Sequence, residues 1–157
     1  GLLAGSTQIS LPPVIELYLG RVRCPMASDF QAEELYLWYD YFSCPQGMSF
    51  DAARNRELAI GCIPSYVAQC FFFVILCPTV QHSDGHMLSE STWAHRGWCR
   101  LERMARELAR DDGIIITVQT ASHPTLAWRV YDVSQAPGNG EFSFEEDRAR
   151  VGQDKAQ

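Results

Sequence analysis

Apolar residues recur along this chain with two periods, and their alternation sets the expected fold. Continuous apolar runs at residues 71–76 (FFFVIL) and 114–118 (IIITV) predict strands covered on both faces, as in a parallel sheet. Residues 35–42 (LYLWYDYF) are dense in aromatics and predict another buried strand. Residues 14–19 and 126–131 predict two more. Helical stretches lie between them. Residues 26–34 predict a short helix starting near Ser28 or Asp29, and Asp51 caps one running through Ala59. The Ile63-Pro64 step interrupts that helix, and Pro64 opens a second piece to about Gln69. Over residues 93–110 the period is helical. Trp98, Leu101, Met104, Ala105, Leu108 and Ala109 share one stripe, with Arg100, Arg103, Glu107 and Arg110 opposite.

Strand–helix alternation of this kind predicts a three-layer α/β fold on a parallel sheet containing residues 35–41, 71–76 and 114–118. Ligands then bind off the C-terminal strand ends, near residues 40–46 and 78–92. Residues 1–13, ending at Pro12-Pro13, read as an extended lead-in. Residues 14–135 form the expected domain, with loops at 43–47 and 81–91. The Pro137-Gly138-Asn139-Gly140 break opens a charged flexible tail or linker over 136–157.

Composition narrows the classes. A chain of 157 residues is large enough for one domain with a real core. Its net charge of −6 argues against nucleic acid as a partner. The longest apolar run, residues 70–78, is far short of the ~20 residues a membrane span needs. The opening residues 1–5 (GLLAG) have no basic n-region, so no signal peptide is visible in them, and the missing Met suggests a piece of a longer protein. The six cysteines form no CxxC pair and no disulfide spacing, which suits a reducing, cytoplasmic setting.

The candidate chemistry centres on Glu102, which falls beside Trp98 and Ala109 at the edge of the apolar stripe. A carboxylate there must be paired, hydrogen-bonded or shifted in pKa. The plainer alternative is a surface pair with Arg106, four residues on, worth ~0.3 kcal/mol. His82-x-Asp84-x-His86 offers two imidazoles and a carboxylate of the kind that binds Zn2+. With no fourth ligand at a standard spacing it reads as a solvated loop, and no metal site is assigned. His95 and Cys99 share a helical face, but no third group orients them as a nucleophile pair. The chain has no P-loop, GxGxxG or GxSxG motif.

Several of these pieces, taken in order, resemble a TIR (Toll/interleukin-1 receptor) domain. They are Trp38-Tyr39-Asp40, the 43–49 loop, Ala59-Ile60, the 71–76 strand and Trp98-Cys99-Arg100-Leu101-Glu102. Residues 38–46, with their Trp-x-Asp…Cys-x-Gln flavour, are also similar to the heterokaryon-incompatibility domain. The resemblance covers roughly residues 35–120. It implies a flavodoxin-like (TIR-like) parallel sheet, here with a degenerate or missing first strand, since residues 14–23 lack the family's ligand-contacting pattern. Arg96 also stands where many members have Ser. The resemblance implies an intracellular signalling module that acts by self-association or by packing on other TIR-like domains. In the family's enzymatic branch it implies an NAD+ nucleosidase, with NAD+ as substrate and no required cofactor. Glu102 would then be the catalytic carboxylate. Trp38, Asp40, Tyr41, Arg96 and Trp98 would contact the nucleotide, Trp38, Tyr39 or Tyr41 stacking on a base and arginines 96, 100 and 103 facing the pyrophosphate.

Overall fold

The computed structural model describes residues 9–10, 25–31, 34, 36–110, 113–127 and 133–153. The strand expected at residues 14–19, most of the lead-in and residues 128–131 lie outside them.

A 3-10 turn over Ala27–Phe30 stands where a helix over 26–34 was expected; Asp29 caps it through its carboxylate on the Met26 N–H at 2.7 Å. The aromatic segment is the first clear correction. Residues 36–39 have no regular structure, and Asp40–Ser43 is one turn of helix, α1. Tyr36, Leu37 and Phe42 are each more than four-fifths exposed, so the predicted strand is absent from the sheet. Helix α2 (Phe50–Gly61) is capped by Ser49, whose Oγ accepts from the Ala52 N–H at 3.1 Å, rather than by Asp51. Helix α3 (Ile63–Gln69) starts at Ile63-Pro64 as the sequence implied, since proline lacks an N–H that the first turn would leave unbonded. It buries Ile63 and Val67.

Strand β1 (Phe72–Leu76) pairs in parallel with β4 (Ile114–Val118), Phe72 opposite Ile114 and Leu76 opposite Val118. Strand β5 (Pro124–Leu126) runs antiparallel on the other side of β4, so the sheet is mixed, in the order β1-β4-β5. Ser10 adds a parallel bridge to Thr125 at the far edge. The central strand is covered on both faces: Ile114 and Ile116 pack with Ile9 and Leu126, and Ile115 packs with Ile75 and Cys77. β1 is not so covered, because Val74 and Leu76 are exposed at the sheet edge. Among the described residues this is a small mixed sheet in an α/β chain.

Between β1 and β4 the chain makes a hairpin, β2 (Val80–Gln81) with β3 (Met87–Leu88), inside the stretch expected to be loop. The long helix expected over 93–110 is two: α4 (Glu90–His95) and α5 (Gly97–Leu108). The break falls at Arg96, whose backbone is extended and bridges Glu141; the Gly97 N–H donates to the Glu141 carbonyl at 2.8 Å, and the Glu141 N–H to His95 at 2.7 Å. A side chain on Gly97 would run into the Phe142 ring, so this close crossing needs glycine. The expected apolar stripe also shifts. Gly97, Cys99, Leu101 and Arg106 are the buried residues of α5, and Leu108 is 61% exposed. Beyond Glu141 the expected tail forms helix α6 (Glu145–Gln153), anchored by Val151 at 1% exposure.

Candidate active site

Glu102 and Arg106 occupy one helix four residues apart, yet they do not pair. Arg106 is fully buried, at 0% exposure. Its Nη1 donates to the carbonyls of Ala68, at 2.8 Å, and Cys70, and lies 3.5 Å from that of Val67. These carbonyls end α3, where a helix has no N–H of its own left to offer and where its dipole favours a cation. Gly113 makes room for the guanidinium, since a Cβ there would fall on the Arg106 Cζ. The surface pair that the sequence offered as the plainer alternative is therefore excluded. Arg106 staples α5 to the end of α3.

Glu102 is left to other neighbours. No hydrogen bond or ion pair reaches it from the described residues. Burial first, and then the Asp40 carboxylate, push its pKa up to about 7, while Arg96 pulls the other way. Cys99 lies in the same group of charges. Burial raises its thiol to about 11, with Arg96 lowering it and Glu102 and Asp40 raising it. Asp40 also raises Cys44, after the larger effect of burial. The fold thus brings Asp40, at the start of α1, to Arg96 and Glu102 on α5, across more than fifty residues of sequence.

Local bonding explains how each group is held. The Tyr39 N–H donates to Ser43 Oγ at 2.9 Å, closing α1 around Asp40. Gln46 donates to the Tyr41 and Cys44 carbonyls at 2.8 and 3.0 Å, which fastens the following loop. This gives the Cys-x-Gln pair at residues 44–46 a structural role. Arg96 sits at the α4–α5 break, with Glu102 two turns along.

The other candidates separate. Trp38 leans on Tyr66 of α3, ring centroids 6.0 Å apart, and is half-buried. Tyr41 is exposed and meets only Phe42 edge-on among ring contacts of the described residues. Trp98 donates through Nε1 to Asp147 of α6 at 3.2 Å, so it ties two helices together. Arg100 bonds the Ala94 and Ser134 carbonyls, and Arg103 pairs with Glu107 at 2.9 Å. Alone of the three arginines, Arg96 has a guanidinium with no hydrogen bond or ion pair among the described residues. The His95–Cys99 pair loses its support, because His95 Nδ1 sits 2.6 Å from the Ser91 carbonyl and the Cys99 thiol is held protonated.

Family models, curated proteins and solved structures were compared with the chain, and nothing matches.

Among the described residues no helix is long and apolar enough to cross a membrane, and the cysteines are free thiols. The sequence analysis missed Cys99 as a neighbour of Glu102 and misplaced Arg106. Cys99 carried a signal, three residues from Glu102 and thus on an adjoining face of the helix. Arg106 carried none, since the Val67, Ala68 and Cys70 carbonyls that it bonds are backbone groups distant in sequence.

Proposed function

We propose that this chain is a TIR-like signalling module whose Glu102 site cleaves the nicotinamide–ribose bond of NAD+. One observation carries the proposal: Glu102 is largely withdrawn from water, has no hydrogen bond or ion pair among the described residues, and feels the charges of Asp40 and Arg96 while Arg106 is engaged elsewhere. An unpaired buried carboxylate destabilises a fold, and such groups concentrate where charge develops during a reaction. In the reaction the C1′–N bond breaks and its electron pair leaves with nicotinamide, which departs neutral. The ribose becomes oxocarbenium-like, and the Glu102 carboxylate stabilises that charge or holds the ribose hydroxyls. Water then adds at C1′ and gives up a proton. Arg96 then meets the pyrophosphate. The substrate's own positive charge favours the ionised form of Glu102.

The test is incubation of concentrated, self-associated protein with NAD+, followed by assay of free nicotinamide. Release is expected, with kcat/KM rising with pH through about 7 as Glu102 ionises in the free protein. Glu102→Gln should abolish it without unfolding the chain. A folded Glu102→Gln variant of undiminished activity would reject the role.

A second proposal rests on a different observation. Tyr36, Leu37, Phe42, Met48 and Phe50, all within about ten residues of Asp40 in sequence, are each more than four-fifths exposed. Exposed apolar patches mark protein contacts. The same module then works by packing on copies of itself or on other TIR-like domains, with no turnover. A wild type that stays inactive even when clustered, together with loss of self-association in Phe42→Ser/Phe50→Ser, supports this alternative over the nucleosidase.

A further inference from the structure

The β2–β3 hairpin carries a feature that neither proposal uses. Val80 pairs with Leu88 and Gln81 with Met87, and the His82 N–H donates to the His86 carbonyl at 2.8 Å. His82 and His86 are therefore the next cross-strand pair, and such pairs project to one side of a ribbon. Ser83, Asp84 and Gly85 make the turn, with Gly85 at φ +98°, a conformation that side chains resist. Asp84 folds back over the pair. His82 Nδ1 lies 2.8 Å from its Oδ2, and His86 Nδ1 lies 3.0 Å from its Oδ1. The two rings are near-parallel, their centroids 5.6 Å apart.

We propose that His82, Asp84 and His86 form a binding site for a divalent first-row transition ion such as Zn2+ or Ni2+. Their donor atoms already lie within 4.8 Å of one another. Donors around one Zn2+ at ~2.0–2.1 Å stand roughly 3.3 Å apart in a tetrahedron. The carboxylate–imidazole separations of 2.8 and 3.0 Å are slightly shorter than that and open by a few tenths of an ångström on ligation, while the two imidazoles draw together. The side chains are 48%, 47% and 68% exposed in chain order, and can rotate without disturbing the core. On ligation each imidazole moves its proton from Nδ1 to Nε2 through solvent, leaving Nδ1 free for the ion. Two imidazoles with one carboxylate suit Zn2+, Ni2+ or Cu2+, whereas Mg2+ and Ca2+ favour oxygen ligands throughout. Three protein ligands leave the remaining positions to water, so the ion is exchangeable.

Calorimetric titration of the untagged, chelator-treated chain with Zn2+, Ni2+, Mg2+ and Ca2+ tests the site. Zn2+ and Ni2+ should bind at one ion per chain, and Mg2+ and Ca2+ should not. His82→Ala, His86→Ala and Asp84→Asn should each weaken binding by about tenfold or more, the scale expected when a ligand or its orienting partner is lost. His123→Ala should leave it unchanged. In the wild-type chain, Zn2+ should shift the imidazole resonances of His82 and His86 and leave those of His95 and His123 in place. Absence of saturable Zn2+ binding, or stoichiometric binding retained in the His82→Ala/His86→Ala variant, would overturn the proposal. Circular dichroism of each variant separates loss of the site from loss of the fold.

Discussion

The two halves of helix α5 treat a buried charge in opposite ways. In the C-terminal half, Arg106 gives its guanidinium to the end of α3. One turn earlier, Glu102 is also withdrawn from water but bonds to nothing among the described residues, and its proton affinity rises instead. Charges with good hydrogen-bond geometry hold elements together, while charges without it change protonation state. The first is a fastening. The second titrates near pH 7.

The largest effect that would break this contrast is expected at Arg106. Arg106→Ala should cost ~3–5 kcal/mol, because it leaves the α3 carbonyls without their donor and opens a cavity the size of a guanidinium. Arg106→Lys should recover only part of this, since its ammonium ends one bond short of the Nη1 that reaches all three carbonyls. Urea denaturation of both variants measures it. A loss below about 1 kcal/mol for Arg106→Ala would mean that the staple is not structural.

At Glu102 the effect should have the other sign. Its pKa is about 7 in the folded chain against 4.5 for the free side chain. Folded protein therefore holds a proton that unfolded protein has lost, and stability falls as pH rises from 4.5 through 7. The penalty is absent below pH 4.5 and reaches about 3 kcal/mol above pH 7, taking 1.36 kcal/mol per pKa unit. Glu102→Gln never ionises. It should be more stable than wild type at pH 8, with the gap closing by pH 5. Thermal melts across that range read it directly. Equal stability of the two proteins at both pH values would show a solvated Glu102 and end the contrast with Arg106.

These two residues also show how far the sequence could be read. Strands β1 and β4 and the start of α3 at Ile63-Pro64 were legible, because uninterrupted apolar runs and proline act locally. Glu102 stood out as a carboxylate at the edge of an apolar stripe. The 35–42 segment misled, since aromatic density shows that a surface is costly to expose without showing whether this chain covers it. The α4–α5 break at Arg96 was hidden for a related reason. Gly97 is the one local signal beside Arg96 and a lone glycine does not by itself end a helix, while the Glu141 backbone that takes over the hydrogen bonding lies far along the chain. Arg106 looked like an ordinary surface arginine because sequence patterns record side chains, whereas Nη1 bonds the Ala68 and Cys70 backbone oxygens.

The smallest effect is the most specific, since it tests which neighbours Glu102 feels. Burial is the leading cause of its raised pKa and should survive any single change around it. Asp40 adds to the rise by like-charge repulsion, and Arg96 opposes it by attraction. Asp40→Asn should therefore lower the Glu102 pKa, and Arg96→Gln should raise it further. The double variant should fall between the two. Neither single change should alter stability much near pH 5, where Glu102 is protonated and a nearby charge meets a neutral group. An NMR titration of the Glu102 carboxyl carbon gives both signs in one experiment. Shifts of opposite sign would place the carboxylate between Asp40 and Arg96, as the nucleosidase proposal requires. No response to either change, with a normal response to Arg106→Lys, would move Glu102 back beside its helical neighbour and leave α5 with a single charged role.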